Sequence, residues 1–114
     1  MNEKIISFLQ LEGTNIGREF EGYKYDNTDT TFIIVEAPPG KGVRLHSHPY
    51  KEIFIILEGT ALFTIEGKEI EVGSGNIVIV PPDKAHKFIN SGTGLLKQVD
   101  IHITDRFITN WLEN

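Results

Sequence analysis

The stretch GKGVRLHSHPYKEIFIILEG, residues 40–59, decides how the rest of the chain is interpreted. It places His46 and His48 two positions apart, and Glu52 follows four residues after His48. In an extended strand, side chains two apart point to the same side, so both imidazoles can be directed at one point. Imidazole suits the borderline divalent metals, and a carboxylate offsets part of the charge of a cation. The stretch therefore predicts three ligands of a metal site.

A second stretch, GNIVIVPPDKAHKFIN at residues 75–90, contributes a third histidine, His86. Folding can bring a distant strand beside the first one, and three histidines with one carboxylate favour a metal site over isolated surface or core histidines. Two histidines and a carboxylate are already the minimal set of non-haem iron oxygenases, and a third histidine leaves fewer open positions. We predict that one divalent transition metal ion (Mn, Fe, Ni, Zn or Cu) is bound by His46, His48, Glu52 and His86.

The two stretches together resemble the cupin superfamily. The first cupin motif is a glycine, five residues, His-x-His, three or four residues, Glu, six residues and a glycine, and all its fixed positions are present from Gly40 to Gly59. The second motif is matched at Gly75, Pro81, His86 and Asn90. Asp83 stands where that motif has its middle glycine, a mild departure because aspartate tolerates a left-handed turn better than most residues.

The resemblance implies an all-β fold, the cupin-type double-stranded β-helix or jelly-roll barrel. Similar small cupins include dioxygenases, isomerases, decarboxylases and proteins with no known reaction, so the fold does not determine the function. We expect a metal-dependent enzyme, dioxygenase-like or isomerase-like, that acts on a small oxygenated organic molecule. The alternative is a non-catalytic cupin that binds or senses a small ligand.

Length and composition narrow the class of protein. The 114 residues predict a single domain, residues 1–114. The formal charge of -5 argues against nucleic-acid binding, and the absence of cysteine excludes disulfides and thiolate ligands. The start of the chain lacks the pattern of a signal peptide, and the longest apolar run, residues 53–57, is too short for a membrane helix. These observations predict a cytoplasmic protein with no membrane partner.

The strand pattern predicts a second subunit. Short strands separated by frequent turns indicate a sandwich or barrel. Residues 53–57 and 77–80 are apolar on both faces, which is typical of strands that lie between two layers. The outer layer would be the chain termini or another copy, and we predict a homodimer.

The last strand, residues 95–103, alternates polar and apolar side chains, with Gln98, Asp100 and His102 on its polar face. That face could be exposed to solvent, or it could reach the cavity as groups behind the ligands or against a substrate. We expect exposure, because antiparallel strands with one wet face are common. After this strand, Thr104 can cap a short C-terminal helix that places Phe107, Ile108, Trp111 and Leu112 on one face.

Alternation along the strands also predicts the lining of the pocket. If Glu52 faces inward, Phe54 and Ile56 on the same strand do so too. If His86 faces inward, so does Phe88, and Arg44 shares the face of His46 and His48. An inward Arg44 would suit a substrate carboxylate, and a solvated position at the rim is an equal alternative. Tyr50 could be a phenolic acid near the metal, but we expect an exposed turn residue.

Overall fold

A computed structural model describes residues 3–114, which fold into two antiparallel β-sheets. The strands are β1 (Glu12–Thr14), β2 (Gly17–Phe20), β3 (Thr31–Ala37), β4 (Gly42–Ser47), β5 (Glu52–Glu58), β6 (Thr60–Ile65), β7 (Lys68–Gly73), β8 (Ile77–Val80), β9 (His86–Asn90), β10 (Leu96–His102) and β11 (Asn110–Trp111). Two short 3₁₀ helices, Phe8–Gln10 and Gly22–Lys24, lie in the N-terminal part. Within residues 3–114, no helix is long and apolar enough to cross a membrane.

The six-stranded sheet has the order β1-β2-β3-β10-β5-β8, and the five-stranded sheet has the order β11-β4-β9-β6-β7. From β3 to β6 the chain passes from one sheet to the other at every step, and it does so again from β7 to β11. Such winding brings residues that are distant in sequence onto facing strands. The prediction of an all-β fold is confirmed.

The hydrophobic core lies between the two sheets. It combines Phe54 and Ile56 of β5 and Leu96 of β10 with Phe63 of β6 and Phe88 of β9, which belong to the opposite sheet. Phe54 and Phe63 pack edge to face with their ring centroids 4.9 Å apart. This apolar cluster fills one part of the barrel and leaves the rest for polar side chains.

The prediction of a short C-terminal helix is wrong, since residues 3–114 contain no α-helix. Instead β11 pairs antiparallel with β4, with Trp111 opposite His46, and Leu112 N donates a hydrogen bond to the Leu45 carbonyl at 3.0 Å. A helix of about ten residues is marginal in water, whereas the edge of β4 offers unpaired backbone groups. Pairing with that edge therefore replaces the helix that the side-chain spacing indicated.

Candidate metal centre

The four predicted ligands meet at one end of the barrel. His46 lies on β4, His48 directly after that strand, and Glu52 and His86 at the first positions of β5 and β9. One possible ligand atom from each residue lies within 4.8 Å of the corresponding atoms of the other three. All four side chains are buried, with 1–5% of their surface exposed. We call these four residues the ligand cluster.

Strand pairing explains the convergence. His46 and His86 are direct partners in the register of β4 and β9, and their ring centroids are 4.3 Å apart. His48 follows two positions after His46 and therefore faces the same side, with the two ring centroids 4.7 Å apart. The bend at residues 49–51 returns the chain into β5, where Glu52 arrives beside the three rings.

Each histidine of the ligand cluster is oriented by a backbone carbonyl. The Nδ1 atoms of His46, His48 and His86 lie 2.7, 2.9 and 2.8 Å from carbonyl oxygens of Arg44, Ile108 and Lys84. A carbonyl oxygen only accepts, so each Nδ1 carries a proton and donates it. The Nε2 atom then holds the lone pair that a metal needs, and the outer partners fix the orientation of each ring.

The charge states also suit a cation. Burial lowers the pKa of His46 to about 4, outweighing its bond to the Arg44 carbonyl, so this imidazole is neutral at pH 7. Burial alone would raise the pKa of Glu52, but the imidazoles of His102, His48 and His86 hold it well below its usual range. His46 thus offers a neutral nitrogen ligand, and Glu52 offers an ionised oxygen ligand.

The polar atoms at the centre of the cluster fit a metal ion. His86 Nε2 lies 3.0 Å from Glu52 Oε1, so two of the predicted ligand atoms already adjoin one point. His48 Nε2 is 3.2 Å from the same oxygen but out of hydrogen-bond alignment, so it is a buried nitrogen without a partner among the described residues. Two ligand atoms that are each about 2.1 Å from one ion lie at most about 4.2 Å apart. The ligand atoms of the cluster lie within 4.8 Å of one another, so the cluster needs to contract only slightly.

A cavity of about 540 Å³ opens beside the ligand cluster. Its walls include His46, His48 and Glu52, together with aromatic rings from four strands or loops: Phe54, Phe88, Phe107 and Trp111. A concave, mainly apolar space with a few polar groups is typical of small-molecule sites.

Three of the four residues predicted to line the pocket border this cavity: Arg44, Phe54 and Phe88. Ile56 is placed elsewhere, in the hydrophobic core among Val35, Phe63 and Leu96. Strand alternation alone could not separate these outcomes, because the inner face of β5 passes from the cavity into the core along its length.

Arg44 occupies the rim rather than the interior. Its guanidinium stacks over the Trp111 ring at 4.0 Å, and its Nε donates to the Glu113 carbonyl at 3.1 Å. The register of β4 and β9 shifts between Val43 and His46, which inserts an extra residue on β4. This bulge breaks the alternation that predicted an inward Arg44.

The expectation that the polar face of β10 is exposed is wrong. Gln98, Asp100 and His102 are 1%, 1% and 3% exposed, and Asp100 and His102 line the cavity. Burial and then the Glu52 charge raise the pKa of Asp100 well above its usual range. The hydrogen bond that Gln98 Nε2 donates to Asp100 Oδ1 at 2.8 Å lowers this pKa, but by less. The alternation of β10 was visible in the sequence, but it did not show which face points inward.

Tyr50 lies in a bend, but it is not exposed as the sequence predicted. Its side chain is half-buried, and its hydroxyl lies 2.7 Å from His102 Nδ1 and 3.1 Å from His48 Nδ1. Burial raises the pKa of this phenol far above its ordinary value. Tyr50 therefore belongs to the layer of side chains behind the ligand cluster.

Two other positions of the second motif have structural roles. Asp83 adopts the left-handed conformation with φ 68°, as expected for the place of a glycine, and its N–H donates to the His48 carbonyl at 2.7 Å. Asn90 Nδ2 donates to the carbonyls of Ala37 and Gly94, each at 2.8 Å. The Asp83 bond holds the turn beside the cluster, whereas the Asn90 bonds join the last residues of β3 and β9 at the other end of these strands.

Comparison with known proteins agrees with this geometry. An uncharacterised protein of Methanocaldococcus jannaschii is 30% identical over 96 residues, which are 83% of this chain and 77% of that protein. Quercetin 2,3-dioxygenase of Bacillus subtilis is 37% identical over 65 residues, which are 54% of this chain and only 19% of that enzyme.

The fold is that of solved double-stranded β-helix proteins. The crystal structure of an uncharacterised conserved protein with a double-stranded β-helix domain from Klebsiella pneumoniae superposes with a TM-score of 0.77 at 21% identity, over 99% of this chain and 100% of that one. The profile of the family described as Cupin domain matches residues 33–102, which include the whole ligand cluster. The chain belongs to the cupin family.

Proposed function

We propose that this chain is a metal-dependent enzyme that acts on a small oxygenated organic molecule held in the cavity beside the ligand cluster. The observation that supports it is the position of His46, His48 and Glu52 in the wall of a cavity of about 540 Å³. An ion that adopts octahedral coordination would keep open positions for a substrate beside four protein ligands. When bound, such an ion supplies Lewis-acid activation of a substrate oxygen, and a redox-active ion also supplies oxidation chemistry.

The residues of this chain would bind and orient the substrate. Phe107 packs against His102 with ring centroids 5.1 Å apart, and Trp111 against His46 at 5.2 Å, so aromatic surface borders the cluster. These rings offer flat apolar contacts to a planar ligand. Asp100 lines the cavity, and burial and then the Glu52 charge raise the pKa of its carboxyl, which favours the protonated form that can donate a hydrogen bond to a substrate oxygen.

Oxidative cleavage of the dioxygenase type is the reaction we place first, and isomerisation second. The segment of 37% identity to quercetin 2,3-dioxygenase supports this order. That match covers a fifth of the longer enzyme, so the substrate of the relative is not transferred to this chain. The metal that we propose is Mn, Fe, Ni, Zn or Cu, all of which accept imidazole and carboxylate ligands.

Elemental analysis of protein purified without chelators tests the metal site. We expect about one ion per chain in the wild type and loss of most of it in Glu52→Ala, because a charged ligand disappears. The matched control is Glu58→Ala, which removes an exposed carboxylate from the opposite end of the same strand. Equal metal content in the two variants would contradict the assignment of Glu52.

Activity is tested on the metal-loaded protein with flavonols, β-diketones and hydroxy acids. Oxygen consumption dependent on both substrate and His86 supports the dioxygenase type, and product formation without oxygen consumption supports isomerisation. Thermal stabilisation by one of these compounds without turnover, retained in His86→Ala, would instead favour a non-catalytic small-ligand protein.

A further inference from the structure

A fourth buried imidazole, His102, touches the ligand cluster without belonging to it. It lies directly opposite Glu52 in the register of β10 and β5, and its Nε2 is 3.0 Å from Glu52 Oε2. The cluster uses the other carboxylate oxygen, Oε1, which faces His48 and His86. Each oxygen of Glu52 therefore has its own imidazole contacts.

Hydrogen-bond partners determine where the protons are in this layer. The Ile108 carbonyl lies 2.9 Å from His48 Nδ1 and can only accept, so His48 Nδ1 carries a proton. The Tyr50 hydroxyl therefore has no lone pair to donate to at His48, and its proton goes to His102 Nδ1, 2.7 Å away. Ile108 N–H completes the arrangement by donating to the phenol oxygen at 3.4 Å.

The consequence is that His102 and the ligand histidines are opposite tautomers. Nδ1 of His102 accepts from Tyr50, so the ring proton is on Nε2, the nitrogen that faces Glu52. His102 Nε2 is 3.0 Å from Glu52 Oε2 but has no aligned hydrogen-bond partner among the described residues, so Oε2 is an acceptor within its reach. A protonated Nε2 cannot be a metal ligand.

We propose that His102 is a positioning residue, held by Tyr50 as the Nε2-protonated tautomer, which donates to Glu52 Oε2 and reserves Oε1 as the single carboxylate oxygen for the metal. The proposal rests on the metal site of the proposed function. A hydrogen bond to an ionised carboxylate is stronger than one between neutral groups, and it orients the carboxylate plane. A carboxylate that binds through one oxygen would occupy one coordination position of an ion instead of two.

Zn²⁺ affinity, measured by competition with a chromogenic chelator, tests the role of His102. We expect His102→Ala to bind one Zn²⁺ with about 10- to 100-fold lower affinity, the usual effect of losing a partner behind a ligand. His102→Gln keeps an N–H donor near the same position and should restore most of the affinity. Unchanged affinity in His102→Ala, or an equal loss in His102→Gln, would overturn the proposal.

Histidine ring ¹⁵N NMR of chelator-treated wild type and Tyr50→Phe tests the tautomer without any metal. We expect His102 to show the Nε2-protonated pattern in the wild type and to lose that preference in Tyr50→Phe, while His46 keeps its Nδ1 proton in both. An Nδ1-protonated His102 in the wild type would refute the inference. A wild type that binds no Zn²⁺ but shows the expected tautomers would instead count against the proposed metal function.

Discussion

In most β-sandwiches the inner face of each sheet is apolar and the outer face is polar. In the six-stranded sheet of this protein the polarity of the two faces is partly reversed. Its inner face carries, at the cavity end, the buried polar side chains Glu52, Asp100 and His102. Its outer face carries two cross-strand rows that are apolar except for one arginine: Phe20, Phe32, Ile101, Ile53 and Ile79, and beside them Arg18, Ile34, Val99, Ile55 and Ile77. Hydrophobicity alone therefore does not identify the core face of this sheet, because its inner face holds a polar site and its outer face carries the apolar rows.

The outer face is the expected place of the predicted homodimer. Five strands about 4.8 Å apart make it about 20 Å wide, and monomers rarely expose a continuous apolar patch of that size. Ile77 and Ile79 are 63% and 58% exposed. Arg18 is the only charged residue of the two rows, so the face is suited to a second copy of itself in a two-fold pair.

The two faces should differ most in how much free energy of unfolding is lost when one apolar side chain of each face is truncated to alanine. Phe54→Ala empties part of the packed interior and should lower the free energy of unfolding by about 3–5 kcal/mol. Ile79→Ala, on the outer face, should cost well under that value in dilute monomer. Urea unfolding monitored by Trp111 fluorescence measures both, and equal losses would show that the two faces are equivalently packed.

A charge on the outer face should separate the subunits while leaving the fold intact. Ile77→Lys places an ammonium group among apolar side chains of both copies and should weaken dimerisation by at least about 2 kcal/mol, roughly 30-fold in Kd. The control is Ile70→Lys, which changes an isoleucine of similar exposure, 54%, on the other sheet. Sedimentation velocity gives the result; a monomeric wild type at micromolar concentration would refute the dimer.

The smallest expected effect concerns the inner carboxyl, Asp100, in metal-free protein. Its pKa is raised in the folded state, so as pH rises the unfolded chain ionises first, and stability is lost between the usual carboxyl range and the raised pKa. Asp100→Asn keeps an acceptor for Gln98 and removes this loss. We expect a higher Tm than the wild type at pH 7, no advantage at pH 3, and a flatter pH profile between them by calorimetry.

The sequence predicted the fold and the ligand cluster because both depend on spacing. Side chains two apart on one strand share a face, and the glycine and proline positions of the motifs mark the turns that bring His86 to His46. Asp83 in the left-handed conformation shows that a non-glycine residue maintains the same turn.

What the sequence could not predict depends on contacts between distant strands. Whether the polar face of β10 points inward depends on what covers its apolar face. The alternation of polar and apolar residues shows that the strand has two different faces but not which of them is the inner one. The bulge before His46 moves Arg44 to the rim, and the edge of β4 captures the tail as β11 in place of a helix. Tyr50 reaches His102 only because the bend and the end of β10 meet in space.

The Ile108 carbonyl that holds His48 connects the tail of the chain to the chemistry of the ion. If β11 and the residues before it separated from β4, His48 would lose the Ile108 carbonyl, and its proton could move from Nδ1 to Nε2. The affinity for a cation would then fall although no ligand residue had changed. By reciprocity, a tightly held cation clamps the tail against β4. Retention of the ion and protection of the tail from proteases should therefore rise and fall together.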